Sequence, residues 1–419
     1  MVSTCFYFQV HQPYRIRKYS FFEIGNNNNY FGDNSDSKLN NKKMIKKVSE
    51  KCYLPANKTI LSLIKKHPEF KVAYSFSGVV LEQFKEYYPE VLNSFQELVD
   101  TGNVEILGET SHHTLAFLFD KQEFRNQVLK HKFLIKNLFK QTPKIFRNTE
   151  LVFNNEIAKE AEDLGYKGIL AEGTESILGW RSPNFVYRPK NAKKIKLLLK
   201  NYKLSDDIAF RFSERSWEEW PLTAEKFAYW ISAHNGNAHT INLFMDYETF
   251  GEHQWESTGI FEFLKKLPSE ILKHPDNDFK TPYEVIKSYP VMDELDFPYI
   301  VSWADVERDL SAWLGNPLQN FAIKSLYSLK EPVLKSRNQK LINTWRKLQT
   351  SDHFYYMCTK WFADGDVHKY FNPYDSPYDA FISFMNILAD FKIRLGLKEK
   401  NLKVPQSFIL HNSLASERR

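Results

Sequence analysis

Thr240-Ile-Asn-Leu-Phe-Met-Asp246-Tyr-Glu248-Thr-Phe-Gly251-Glu-His253-Gln-Trp255 is the stretch on which the fold turns. An apolar, β-prone run ends abruptly in Asp246 and Glu248, and Gly251 and a polar, aromatic cluster follow. An apolar run bounded by turn signals predicts a buried strand. In a parallel sheet with helical crossovers, the carboxyl ends of such strands open on the ligand crevice. The expectation is a strand presenting an acid to a substrate. Against it stands the plainer reading of a solvated strand-end carboxylate, and partners elsewhere in the chain must decide between them.

Outward from this stretch the same pattern recurs. Strands are expected at 4–10 (ending in His11-Gln12-Pro13), 71–76, 104–107 (ending in Gly108-Glu109-Thr110-Ser111-His112-His113) and 144–148 (delivering Thr149-Glu150). Further strands are expected at 166–171 (ending in Glu172-Gly173-Thr174-Glu175), 207–212 and 241–245. Helical patterns lie between them at 57–66, at 79–101 closed by Gly102, at 122–140, and after an Asn154 or Asn155 cap up to Gly165. Seven alternating units imply a parallel sheet with right-handed crossovers. We read an α/β fold, a closed or nearly closed barrel. The alternative is an open doubly wound sheet, and the absence of a Gly-rich phosphate loop weighs against its nucleotide-binding form. An Asn-rich insertion loop interrupts the barrel near 25–41. After residue 296 helical patterns take over at 318–328, 331–349, 353–362 and 378–395. The expected domains are therefore a barrel, 1–296, and a helical domain packed beside it, 297–410, with a flexible tail at 411–419.

Composition narrows the function. Of 419 residues, 42% are hydrophobic and 26% charged, ordinary for a globular protein. The net charge of +6 is small beside 57 basic and 51 acidic residues, which are interleaved. The most basic stretch, 190–203, reads as a helix with a solvated lysine face, and no RNA- or DNA-binding signature accompanies it, so a nucleic-acid partner is not expected. Cys5, Cys52 and Cys358 lie far apart without metal-ligand spacing, which suits reduced thiols in the cytoplasm. No signal segment opens the chain, and no apolar run approaches the roughly 20 residues of a membrane span.

Several acids and histidines thus follow predicted strands: His11, Glu109 to His113, Glu150, Glu172, Glu175, Asp246 and Glu248. Carboxylates converging on one barrel mouth repel one another unless substrate, metal or protons share the charge, which favours an active site there over solvated strand ends. Two carboxylates beside sugar-stacking aromatics (Trp255, Trp303, Trp313, Tyr355) suit glycosidic bond cleavage: one protonates the leaving oxygen, the other supports the oxocarbenium-like centre. The competing chemistry is metal hydrolysis through His11, His112, His113 and Asp246. Adjacent histidines on an extended chain point to opposite sides, no His-Glu-x-x-His occurs, and no metal or other cofactor is expected.

Five ordered segments resemble the motifs of glycoside hydrolase family 57, the α-amylase and 4-α-glucanotransferase family. They are His11-Gln12-Pro13, the run from Gly102 to His113 that includes Glu105, Phe146-Arg147-Asn148-Thr149-Glu150-Leu151, Met245-Asp246-Tyr247-Glu248-Thr249-Phe250-Gly251, and Gln349-Thr350-Ser351-Asp352-His353-Phe354-Tyr355. The resemblance implies a (β/α)7 barrel of distorted TIM type followed by an α-helical bundle, 297–410, that completes the cleft. It also implies a retaining glycosidase acting on α-1,4-glucans or maltooligosaccharides, with Glu150 as nucleophile and Asp246 as general acid/base. It implies sugar binding by His11, Glu105, Glu248 and Asp352. Gln12 and His113 of the same motifs and the aromatics Trp255, Trp303 and Tyr355 complete the expected substrate-binding set. Transglycosylation, a metal-dependent deacetylase on a related barrel, and a non-catalytic glucan-binding protein are the alternatives.

Overall fold

Every residue of β1 (Val2–Val10) is buried, as a strand with parallel neighbours on both edges and helices outside must be. The computed structural model describes residues 2–32, 38–361 and 367–397. The remaining strands are β2 (Val72–Phe76), β3 (Val104–Ile106), β4 (Ile145–Arg147), β5 (Gly168–Glu172), β6 (Val186–Pro189), β7 (Lys196–Lys200), β8 (Thr240–Asp246), β9 (Asn277–Phe279) and β10 (Glu294–Leu295).

Seven of them close a ring. β1 pairs in parallel with β2 (Phe6 opposite Val72) and with β8 (Tyr7 opposite Phe244), and β2 pairs with β3. A single parallel bridge, Gly108 to Phe146, joins the end of β3 to β4. β4 pairs with β5 and β5 with β7. The ring closes where the Asn201 N–H donates to the Asn242 carbonyl and Asn242 Nδ2 donates to the Leu199 carbonyl, each at 2.9 Å. Alternate side chains point inward, so Tyr7, Ala73, Leu107, Ile145, Leu170, Leu198 and Phe244 share one interior cluster, filling the barrel as packed layers. β6 lies antiparallel on β7, β10 pairs with β6, and β9 pairs with the start of β1.

The expected (β/α)7 barrel is present, but its sixth strand is not where the sequence pattern put it. Residues 207–212 do not form a strand. Tyr202–Ala209 is a helix, capped by the Asn201 side chain accepting from the Leu204 N–H. The missing strand is β7, inside the stretch read as a basic helix. A short apolar run such as Leu197-Leu198-Leu199 fits helix or strand equally by periodicity. Burial decides for a strand: Leu198 faces the barrel interior, while Leu197 and Leu199 face the outer core. The long helix expected at 79–101 is also two, Gly78–Tyr87 and Pro89–Asp100. Pro89 removes an N–H and pushes Tyr88 out of helical geometry.

Beyond the barrel the described helices include Pro317–Tyr327, Lys330–Lys335, Gln339–Lys347, Asp352–Tyr355 and Pro377–Arg394. They have no core of their own. Trp313, Trp345, Phe354 and Ile387 belong to the same buried cluster as Phe146, Ile169 and Leu199 of β4, β5 and β7. No helix among the described residues is long and apolar enough to cross a membrane. The tail expected at 411–419 lies outside the described residues, as do 33–37 of the Asn-rich loop.

Candidate active site

Glu150 sits in a tight turn, Thr149–Leu151, that follows β4 directly. Its backbone is left-handed (φ 57°, ψ 26°), as are Leu151 (φ 49°) and His113 (φ 52°). Non-glycine residues rarely adopt this region, which costs on the order of 1–3 kcal/mol each, and such strain gathers at functional sites. The turn is pinned by Thr149 Oγ1, 2.8 Å from Thr110 Oγ1, and by the Leu151 and Val152 N–H groups donating back to Asn148 and Thr149.

Three donors converge on the Glu150 carboxylate. His113 Nε2 donates to Oε1 at 3.1 Å, Ser351 Oγ donates to the same oxygen at 3.1 Å, and the Trp303 indole N–H donates to Oε2 at 2.9 Å. Burial alone would raise this carboxyl. The His113 hydrogen bond and charge and the Arg147 charge outweigh burial and hold Glu150 below its ordinary value. His113 in turn lies 3.7 Å by Nδ1 from the buried Glu109. Burial opposes its charge, but hydrogen bonding and charge from Glu109 and Glu150 raise it to about 9, so the ring is cationic near neutrality. Glu109 is held by Gln9 Nε2 (3.2 Å) and Ser75 Oγ (3.0 Å).

Asp246 ends β8 opposite Gln9 of β1. No side chain among the described residues hydrogen-bonds its carboxyl. Burial, and then the Glu150 charge, push it above the ordinary aspartate range. Glu248, two residues on, is also raised, by burial and then by Asp246, although the Tyr53 hydroxyl and Gln12 Nε2 donate to it. One mouth thus holds an ionised carboxylate fixed by three donors and an unbonded carboxyl that tends to keep its proton.

These groups line a cavity of about 690 Å³ together with His11, Gln12, Arg15, Lys200, Asp206, Trp303, Arg308, Trp313, Asp352 and Tyr355. His11 bridges Ser77 Oγ (2.6 Å) and Asp352 Oδ2 (2.8 Å), and its ring lies flat on that of His113, centroids 3.9 Å apart at 20°. His11, His113 and Asp352 come close enough to suggest a metal site. The residues do not fit one. Two stacked imidazoles carry their lone pairs in separate, nearly parallel planes, so a single ion about 2.0–2.1 Å from both nitrogens has no position, and His113 is cationic.

The structure thus brings together Glu150, Asp246, His11, Gln12, His113, Glu248, Trp303, Asp352 and Tyr355. Two expected residues lie elsewhere. Glu105 sits mid-strand opposite Ala73, and its Oε2 accepts from the Tyr283 N–H at 2.8 Å. Like Ala73 opposite it and Leu107 two residues on, Glu105 points into the barrel, but it does so below the mouth, near Cys5, and is not among the residues that line the cavity. Trp255 lies beyond the cavity on the surface, 61% exposed, because the chain turns away after His253. Sequence reasoning missed Arg15, Lys200, Asp206 and Arg308. Lys200 pairs with Asp206 (2.9 Å) and Glu172 (3.6 Å), and Arg308 reaches the same two acids at 3.4 and 3.3 Å. Lys200 was hidden by the helical reading of β7. Tyr53, on a helical turn (Ser49–Tyr53) far in sequence from every motif, left no trace at all.

A family model described as Glycosyl hydrolase family 57 matches residues 5–298. A Methanocaldococcus jannaschii protein named "Putative alpha-amylase" is 46% identical over 402 residues, which cover 92% of this chain and 83% of that protein. Among solved structures, the branching enzyme of Pyrococcus horikoshii aligns at TM-score 0.66 and 14% identity over 96% of this chain and 98% of its own. The 4-α-glucanotransferase of Thermococcus litoralis aligns at TM-score 0.65 and 16% identity, over 84% of this chain but only 56% of its own. At such identities these structures speak for the fold alone. The sequence match covers both strands that carry Glu150 and Asp246, and this chain belongs to glycosyl hydrolase family 57.

Proposed function

We propose that the protein is a retaining glycosidase of α-amylase type that cleaves α-1,4-linked glucan, with Glu150 as nucleophile and Asp246 as general acid/base. The observation that carries this reading is the opposed treatment of the two carboxyls. Three donors keep Glu150 ionised, while burial without a donor favours protonated Asp246. Glu248 is also raised, but Tyr53 and Gln12 hold it. After burial, the Glu150 charge is the main cause that raises Asp246, whereas at Glu248 it is Asp246 that does so, which supports Asp246 as the proton carrier beside Glu150.

Protonated Asp246 gives its proton to the glycosidic oxygen as a Glu150 oxygen bonds to the anomeric carbon and the C–O bond breaks. Asp246, now a base, takes a proton from water, whose oxygen displaces Glu150 and regenerates the enzyme. The cationic His113 balances the nucleophile's charge before attack. Glu248, Asp352 and His11 are suited to sugar hydroxyls, and the half-buried Tyr355 to an apolar sugar face. The three buried, unpaired cysteines suit a cytoplasmic setting, and Lys196 and Lys200 are spent on internal partners rather than on a nucleic acid.

Incubation with a defined maltooligosaccharide tests the reading. Shorter products that first appear as the α-anomer are expected. A ladder with longer products would make glucan transfer the main reaction, and a branched product would make it a branching enzyme. No cleavage or transfer by wild type, with binding retained in Glu150→Gln, would overturn the catalytic reading.

A further inference from the structure

Arg147, the last residue of β4, is fully buried, 0% exposed, and none of its three guanidinium nitrogens finds a hydrogen-bond partner among the described residues. An unpaired buried charge costs several kcal/mol. Its neighbour is an aromatic face: the guanidinium carbon lies 4.9 Å from the centroid of the Trp303 ring, the indole whose N–H donates to Glu150. Lys200 Nζ lies 5.7 Å from the same ring. A cation over an aromatic face is held by the ring quadrupole and draws electron density from the ring, which strengthens the indole N–H as a donor.

We propose that Arg147 is a positioning residue that acts through Trp303, a shared counter-charge for the active-site carboxylates that bonds to none of them. Resting on the assignment of Glu150 and Asp246 above, this gives the buried arginine a reason. A direct ion pair would claim one carboxylate and turn it from the substrate. Against the indole, the charge reaches Glu150, Asp246 and Glu109 together, and it opposes their burial at each. It also fixes the Trp303 N–H on Glu150 Oε2. Arg147 stands three residues before Glu150, so the strained turn ties both ends of this contact to one strand.

The test compares Arg147→Met, Arg147→Gln and Arg147→Lys in the full chain. Two readouts are followed: the pH profile of kcat/KM on an aryl maltooligoside, and the indole 1H–15N resonance of Trp303, assigned by its loss in Trp303→Phe. The neutral variants are expected to move both limbs of the profile to higher pH by about half a unit or more and to shift the indole proton upfield. Arg147→Lys should leave both nearly in place. A merely structural role would lower activity or stability with the limbs and the resonance unmoved, and that result in a folded neutral variant overturns the proposal. Arg147→Gln keeps hydrogen-bonding capacity if the Met variant does not fold, and the resonance reports without turnover. Wild-type turnover by Glu150→Gln would instead overturn the nucleophile assignment, a separate outcome.

Discussion

At the scale of single residues, the site works by giving like groups unlike surroundings. Asp246→Asn removes the proton donor and is expected to cut kcat about 10²–10⁴-fold, with a larger loss on unactivated maltooligosaccharide than on an aryl glycoside whose leaving group needs no proton. Equal losses on the two substrates would count against its role as acid. The same assignment fixes a pH dependence. Asp246 must be protonated and its pKa is raised, so activity falls as pH climbs through that raised value, above the ordinary 3.8, while Glu150, held low, sets the acid limb. Glu105 supplies the contrast. Buried and raised from 4.5 to about 7, it binds protons more tightly folded than unfolded, so it lowers stability as pH rises from 4.5 to 7. Glu105→Gln keeps an acceptor for the Tyr283 N–H. It should flatten that part of the stability curve, read by denaturant melts, and leave kcat/KM within about two-fold. A ten-fold loss would restore Glu105 to the site.

At the scale of elements, the barrel closes at narrow points. β3 meets β4 only through Gly108, and a Cβ there would lie 2.3 Å from the Tyr166 hydroxyl and 2.7 Å from its ring. Gly108→Ala forces Tyr166 or the bridge to move and is expected to cost about 1–3 kcal/mol, visible as a lower thermal midpoint; an unchanged midpoint would mean the bridge is not tight. The Glu109–His113 pair links the loop after β3 to the turn that carries Glu150. His113 is raised to about 9 and Glu109 lowered from 4.5 to about 2. Their mutual stabilisation is therefore complete between about pH 4.5 and 6.5. It fades as pH rises through 9 or falls through 2. His113→Gln should remove that alkaline loss in a melt series.

At the scale of the whole molecule, the catalytic cavity belongs to neither half alone. Glu150 and Asp246 come from the barrel, whereas Asp352 and Tyr355, which line the same cavity, and Ser351, which donates to Glu150, come from the helical segment, and both halves share one buried cluster. Unfolding is expected to be a single transition in which far-ultraviolet signal and activity are lost together. Two separated transitions would show that the helices fold on their own core. Their motifs were legible because turns and acids follow strands at repeated spacing. The helices' dependence on the barrel was not, since amphipathic patterning shows which face is buried and not what covers it.

The sequence by itself determined the alternation of strand and helix, six of the seven barrel strands, and the strand ends that hold Glu150 and Asp246. Those are local matters, set by apolar runs and the turn residues that stop them. Only tertiary structure decided that Leu197-Leu198-Leu199 is a strand and that Glu105 enters the barrel below the mouth and short of the cavity, because burial on two sides and strand register arise between elements. It also decided where His113, Trp303 and Arg147 lie relative to Glu150. A side chain's charge and aim depend on neighbours brought from 37 to 201 positions away, as the Glu150 contacts with His113 and Ser351 show.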